Sequence, residues 1–332
     1  MRKINKRQKY VLFFCSIAAT ILLVFIFGAK LFKEADEKSY QEFRETFGKN
    51  VYGYQLGFTN PDYGPMGEKL IWNLENNNLE LVFTNASTDG EFLLKIFWDF
   101  EEIEFSIDNE EADNQYIFTS NYSETKNWKV SFPEELSKSS EDYLGSLTAI
   151  VFIEPNVHQK DAAIYDHKNY GLAIVQHVFS KESFDSFDPN HLFTKASYQT
   201  FEEYDTAFND LNVTTLEDDL LSNPSSSLKV ASGEMIKLNF LAGASIEEIN
   251  DYVLIAVLGN KQVSLNGQNR LPLHLAKDPL SGKITPQTGM VEFPAPDEPG
   301  NYEFIMYQFP LSSEMLGLSM VENSFRITIV VE

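Results

Sequence analysis

The chain has a single cysteine, Cys15, in 332 residues. One thiol excludes an internal disulfide and any zinc site built on a cysteine cluster. Positive charge is also scarce. Lysine and arginine number 26 against 49 aspartates and glutamates, for a formal net charge of −23. That balance leaves no basic surface of useful size and argues against nucleic acid as a partner. Local catalytic signatures are missing too: there is no Gly-x-Ser-x-Gly and no His-Glu-x-x-His. Apolar material is plentiful. The chain is 43% hydrophobic and holds 27 Phe, 15 Tyr and 3 Trp, which excludes wholesale disorder. Its length suits about two domains of ~150 residues each.

The opening stretch differs from the rest. Arg2, Lys3, Lys6, Arg7 and Lys9 form a basic head, and Tyr10 to Ala29 then carries no charge. At ~1.5 Å per residue such a helix is ~30 Å long, the thickness of a bilayer's hydrocarbon core. Lys30 and Lys33 follow, where long stems can snorkel to the interface. The stronger basic cluster lies N-terminal, which orients that end to the cytoplasm. The expectation is a cytoplasmic tail over 1–9 and a transmembrane signal-anchor over 10–32. A helical stalk follows over 33–50, with Tyr40, Phe43 and Phe47 on one face. Cleavage after the small Ala29 is disfavoured by the bulky Phe27 at the −3 position. Every acidic residue lies after Lys33. A large exported part without cysteine suits a Gram-positive surface, where disulfides are uncommon.

From residue 51 to 180 the pattern is β. Leu79, Leu81 and Phe83 alternate with half-polar neighbours, and 85–90 is turn chemistry. Strands are expected over 91–98, 103–107, 116–119 and 128–132. Leu147 to Ile153 and Gly171 to Phe179 are nearly continuous apolar runs, as expected of central strands. Short strands at this spacing predict a β-sandwich. No βαβ alternation appears, which argues against a nucleotide-binding α/β fold.

Residues 181–227 read as a helical connector and linker. Thr200 and Glu203 have capping-box spacing, and Phe201, Tyr204, Phe208 and Leu211 mark one helical face. Thr215 and Asp218 start a second short helix in this reading. Ser222 to Ser227 is the best linker in the chain. Residues 228–332 form a second sandwich. Ile236, Leu238 and Phe240 alternate, Tyr252 to Leu258 is wholly apolar, and Gly259-Asn260 and Asn266-Gly267 are hairpin turns. The last strand is expected to face Phe325, Ile327, Ile329 and Val331 inward, with Arg326 and Thr328 outward.

Gly300-x-Tyr302-x-Phe304 resembles the tyrosine corner of immunoglobulin-like domains. The antibody Cys-Trp-Cys pattern is missing, so residues 228–332 are similar to the disulfide-free bacterial immunoglobulin-like modules. The whole exported part resembles singly anchored, Gram-positive surface proteins. These resemblances imply an architecture and no catalytic residue.

Four candidate metal ligands share one loop: His158, His167, Asp161 and Asp166. Two imidazoles and two carboxylates suit zinc or another divalent ion; an ordinary solvated loop is the competing reading. Asp185, Asp188 and Asn190 are candidate Ca²⁺ ligands, as is the oxygen-rich stretch from Asp108 to Asn114. Calcium is the one cofactor the sequence suggests. Adjacent strand residues point to opposite faces, so neither Glu101/Glu102 nor Glu110/Glu111 makes a glycosidase dyad by itself, and both pairs read as solvated edges and turns. Trp72, Trp98 and Trp128 read as core.

The fold expected is therefore mainly β, with an N-terminal transmembrane helix and two sandwiches joined by a short helical segment. The function expected is a non-catalytic, membrane-tethered extracellular binding or scaffolding protein. Its partners would be the bilayer, through residues 10–32, and a protein at the outer membrane face. The alternative is a cell-envelope enzyme hydrolysing glycan or peptide at a carboxylate or histidine site.

Overall fold

Residues that alternate in the sequence alternate in the fold. In the computed structural model, Leu79, Leu81 and Phe83 are buried from one face of the Asn78–Asn85 strand, while Glu80, Val82 and Thr84 are half-exposed on the other. Pleating turns period two into one dry face and one wet face. The described residues are 53–59, 70–71, 78–133, 136, 143–161, 171–179, 193, 197–199, 201–244, 249–277, 282–311 and 321–332. The expected tail, anchor and stalk lie outside them. Among the described residues no helix is long and apolar enough to cross a membrane.

The strands build four sheets. The first outer sheet runs Tyr54–Thr59, Asn78–Asn85, Glu124–Ser131, Ser106–Ile107. The first inner sheet runs Leu70–Ile71, Gly171–Phe179, Tyr143–Ile153, Gly90–Trp98, Glu101–Glu102, with Tyr116–Ser120 also on Gly90–Trp98. The second inner sheet runs Ser227–Val230, Ile327–Val331, Gly300–Pro310, Asp251–Leu258, Lys261–Val263. Leu271–His274 and Glu322–Asn323 pair onto its middle. The second outer sheet runs Glu202–Glu203, Gln287–Pro294, Met235–Ala242, Leu211–Thr214. Nearly all neighbours are antiparallel; Ser227–Val230 joins Ile327–Val331 in parallel, as Leu70–Ile71 joins Gly171–Phe179.

Three apolar layers separate the four sheets. The first outer and inner sheets enclose one core, including Leu81, Phe83, Phe92, Ile96, Trp128 and Val151. Aromatic rings dominate it: Phe118 packs edge-on against Trp128 at 4.7 Å and stacks with Phe92 at 5.4 Å. Trp98 and Trp128 are buried here, as the sequence suggests, and Trp72 lies outside the described residues. The second inner and outer sheets enclose another core, around Leu238, Phe240, Leu254, Phe293, Phe304 and Ile329. A third layer fills the space between the two inner sheets. Leu93, Phe97, Ile150 and Phe152 meet Val253, Ile255, Ile305 and Tyr307 there.

That third layer explains the continuous apolar runs. A strand wet on one face alternates, whereas a strand buried on both faces does not. Tyr143–Ile153 and Asp251–Leu258 are central within their sheets and also buried on both faces.

Three local expectations need correction. The described part of 181–227 holds strands and turns rather than helices. Phe201 packs edge-on against Phe240 at 4.8 Å and lies over Gly289, where any side chain would collide with its ring. Glu202–Glu203 then pairs with the Gln287–Pro294 strand and Leu211–Thr214 with Met235–Ala242. Sheet pairing and the Phe201 contact override the helical spacing. Between 103 and 107 only Ser106–Ile107 is a strand, because Phe105 forms an isolated bridge to Asp113. Arg326 and Thr328 face the other sandwich instead of solvent and are buried.

The hairpin and corner chemistry falls as read. Gly259 and Asn260 both take positive φ and join Leu258 to Lys261. The Tyr302 hydroxyl donates to the Glu298 carbonyl at 2.9 Å, the tyrosine-corner contact.

Candidate functional site

Among the described residues the two buried cationic side chains, Lys95 and Arg326, lie where the two sandwiches meet. Lys95 falls between Leu93 and Phe97 on the Gly90–Trp98 strand, so alternation turns it into the layer between the inner sheets. It is fully buried, with its ammonium 2.7 Å from Glu102 Oε1 and donating to the Asn114 carbonyl at 3.2 Å. Burial pushes the Lys95 ammonium below the ordinary lysine range, and Glu102 opposes that shift.

Glu102 continues the link across the seam. Its backbone N–H donates to Gln262 Oε1 at 2.8 Å, and the Gln262 N–H donates to Glu102 Oε2 at 2.8 Å. Gln262 Nε2 also donates to the Phe100 carbonyl at 2.8 Å. Next to it, Arg270 donates to the Asp99 carbonyl at 3.1 Å and lies 3.3 Å from Glu101. Glu101 and Glu102 do point to opposite sides, but only Glu101 is solvated. Its side chain is 50% exposed and that of Glu102 14%.

A second clamp holds the far end of the Tyr143–Ile153 strand. Arg326, from the second sandwich, donates to the carbonyls of Ile153 at 2.8 Å and of Glu154 and Val157 at 3.3 Å each. A planar guanidinium with five donors suits a set of strand-end carbonyls. Beside it, Glu303 Oε1 accepts from Thr328 Oγ1 at 2.7 Å and from the Gln159 N–H at 3.2 Å.

His158, a candidate metal ligand, belongs to this clamp. Its Nδ1 lies 3.1 Å from Glu303 Oε1. Asp161 ends the short 3-10 turn Gln159–Asp161. Asp166, His167, Asp185, Asp188 and Asn190 lie outside the described residues. Among the described residues no three His, Cys, Asp or Glu side chains converge as metal ligands would. In the 108–114 stretch, Asp108 accepts the Lys129 N–H at 2.9 Å and Asp113 the Asn114 N–H at 2.6 Å. His274 is half-exposed and lies 2.6 Å from Asp251.

The sequence reading does not single out Lys95, Gln262 or Glu303, and it puts Glu102 and Arg326 in solvent. One sign was available: Lys95 interrupts an otherwise apolar stretch from Phe92 to Trp98. A charge in a run that lacks alternation marks a buried ion pair between layers.

The described architecture is a stack of two antiparallel β-sandwiches whose buried polar groups tie one to the other. No protein-family profile matches the chain, and no curated protein matches it in sequence. Among solved structures it is similar to the C-terminal domain of the Streptococcus agalactiae AgI/II polypeptide BspA. That match has 8% identity and a TM-score of 0.20, covering 84% of this chain and 100% of that one. The C-terminal domain of the Streptococcus pyogenes antigen I/II-family protein AspA matches at 8% identity and a TM-score of 0.22, over 85% of this chain and 100% of that one. Superpositions that loose do not define a shared fold.

Proposed function

We propose that the chain is a membrane-tethered extracellular scaffold that presents a binding surface to a protein partner at the outer membrane face. The observation that carries this reading is the third apolar layer, together with the Lys95–Glu102–Gln262 and Arg326 clamps at its margins. An enzyme concentrates buried polar groups around a cleft. Here Arg326 bonds across the seam, and Lys95 holds Glu102, which bonds across it to Gln262. The 10–32 segment supplies the tether, with residues 1–9 in the cytoplasm and the acidic remainder outside the plasma membrane.

Labelling in intact cells tests the topology. In a Cys15→Ser background, Asn127→Cys places one thiol on an exposed strand position. A membrane-impermeant maleimide should label it in whole cells of the source organism. Labelling only after lysis would overturn the reading.

A further inference from the structure

The loop from Thr215 to Ser225 carries the chain from an edge strand of the second outer sheet to an edge strand of the second inner sheet. One carboxylate ties its two ends together. Asp218 Oδ2 accepts from the Thr215 N–H at 3.2 Å, the Thr215 hydroxyl at 2.8 Å and the Ser225 N–H at 2.9 Å. Asp218 Oδ1 accepts from the Ser225 hydroxyl at 2.9 Å. The capping spacing seen in the sequence is thus real, but it closes a loop rather than opening a helix. Asn212 fastens the tip to the sheet, donating from Nδ2 to the carbonyls of Leu220 at 2.8 Å and Ser222 at 3.0 Å. Asp219 caps the Leu221 N–H at 2.8 Å. Loops whose ends meet and whose own side chains pack them are compact and often functional.

This ordered loop leaves two of its three leucines in water. Leu216 is 54% exposed and Leu221 50%. Neither exposed leucine is needed to close the loop, which Asp218 and Asn212 hold by hydrogen bonds. Glu217 and Asp219 stand exposed beside the leucines, and no lysine or arginine occurs from Phe201 to Leu228. We infer that this loop is a pre-ordered docking element for a protein partner with an apolar groove rimmed by lysine or arginine. The two leucines anchor, the acidic pair steers and selects, and the Asp218 and Asn212 bonds lower the ordering cost on binding. A second copy of the chain is a poor occupant, because it brings the same acidic loop and a net charge of −23. An anionic lipid surface repels the loop for the same reason. The inference deepens the binding reading and rests on it, but not on the tether.

Photo-crosslinking tests it in the full-length chain, in cells of the source organism. Leu216→Cys and Leu221→Cys, each in the Cys15→Ser background, carry a benzophenone maleimide; Met290→Cys, on an exposed sheet position, is the control. Expected is one adduct with a second polypeptide, whose crosslinked peptide lies beside lysine or arginine. Its yield should fall about fivefold or more with Glu217→Lys plus Asp219→Lys, as for loss of a hot-spot contact. Asp218→Ala, which unties the loop, should lower the yield while the melting temperature holds to within a few degrees. An adduct only with lipid, only with another copy of this chain, or insensitive to charge reversal overturns the inference. Adducts from Met290→Cys alone would move the binding surface elsewhere and leave the binding reading standing. No adduct from any of the three positions would remove both.

Discussion

Glu102 and Gln262 exchange hydrogen bonds as two facing ladder residues would, except that each backbone N–H finds the other's side-chain oxygen, both at 2.8 Å. The contact joins the edge of one inner sheet to the edge of the other. Both edges are thereby covered, and an unpaired strand edge is a common route to unwanted association.

This coupling makes a prediction about unfolding. All three tryptophans, Trp72, Trp98 and Trp128, precede the second sandwich. Ile329→Ala removes a fully buried side chain from the second core and should cost about 2–5 kcal/mol. Tryptophan fluorescence should report that loss with the same denaturant midpoint as far-UV circular dichroism. A fluorescence midpoint left at the wild-type value would show that the sandwiches unfold separately.

Lys95→Ala should destabilise by about 3–5 kcal/mol, because it leaves the mostly buried Glu102 carboxylate without its cation. The double variant Lys95→Met with Glu102→Gln should recover most of that loss in equilibrium denaturation. Because the folded-state pKa of Lys95 is lowered, the unfolded chain holds its proton to higher pH. The unfavourable contribution of Lys95 therefore shrinks as pH rises toward the ordinary lysine value near 10.5.

Tyr307 is fully buried, and among the described residues its hydroxyl has no hydrogen-bond partner. Burial pushes its phenol far up, only partly offset by Arg326. The folded chain keeps this proton where the unfolded chain loses it. The titration of Tyr307 therefore leaves stability unchanged below its ordinary value near 10.0 and lowers it as pH rises above that value. Tyr307→Phe should be neutral or stabilising at pH 7 and should move the alkaline unfolding midpoint upward. A loss of more than about 1 kcal/mol at pH 7 would mean the hydroxyl has a partner after all.

Gly259 combines two constraints. Its φ is +54°, and a Cβ there would lie 2.6 Å from the Tyr302 ring. Gly259→Ala should cost about 2 kcal/mol, from strained backbone and displacement of the corner tyrosine. Tyr302→Phe keeps the ring and should cost only about 1 kcal/mol for the bond to the Glu298 carbonyl. Thermal melting should rank the two in that order.

Acid should loosen the docking loop. Burial alone would raise the Asp218 pKa, but the bonds from Thr215 and Ser225 outweigh it and hold the carboxyl below its ordinary 3.8. Its contribution is present above that value and is lost as pH falls through the lower folded-state pKa. Amide protection at Thr215 and Ser225 should vanish there before the core strands exchange.

Much of this architecture was legible in residue order. Alternation placed Leu79, Leu81 and Phe83 and likewise Ile236, Leu238 and Phe240, and paired turn residues placed the hairpin at Gly259-Asn260. The seam was not legible, because a polar residue at an outward strand position looks the same whether water or another sheet lies beyond it. Arg326, Thr328 and Glu102 were misjudged for that reason. Phe201 to Leu211 misled differently: its spacing fits a helix, but the partners that hold Leu211–Thr214 in a sheet lie in the Met235–Ala242 strand, far along the chain.

The inner sheets also limit how such a chain can change over time. Split between Phe179 and Phe201, either half would expose a wall of Phe, Ile and Val that its partner now covers. Each would tend to aggregate before it could serve elsewhere. A truncation or fusion that keeps one sandwich must therefore replace the apolar cover that the other supplies.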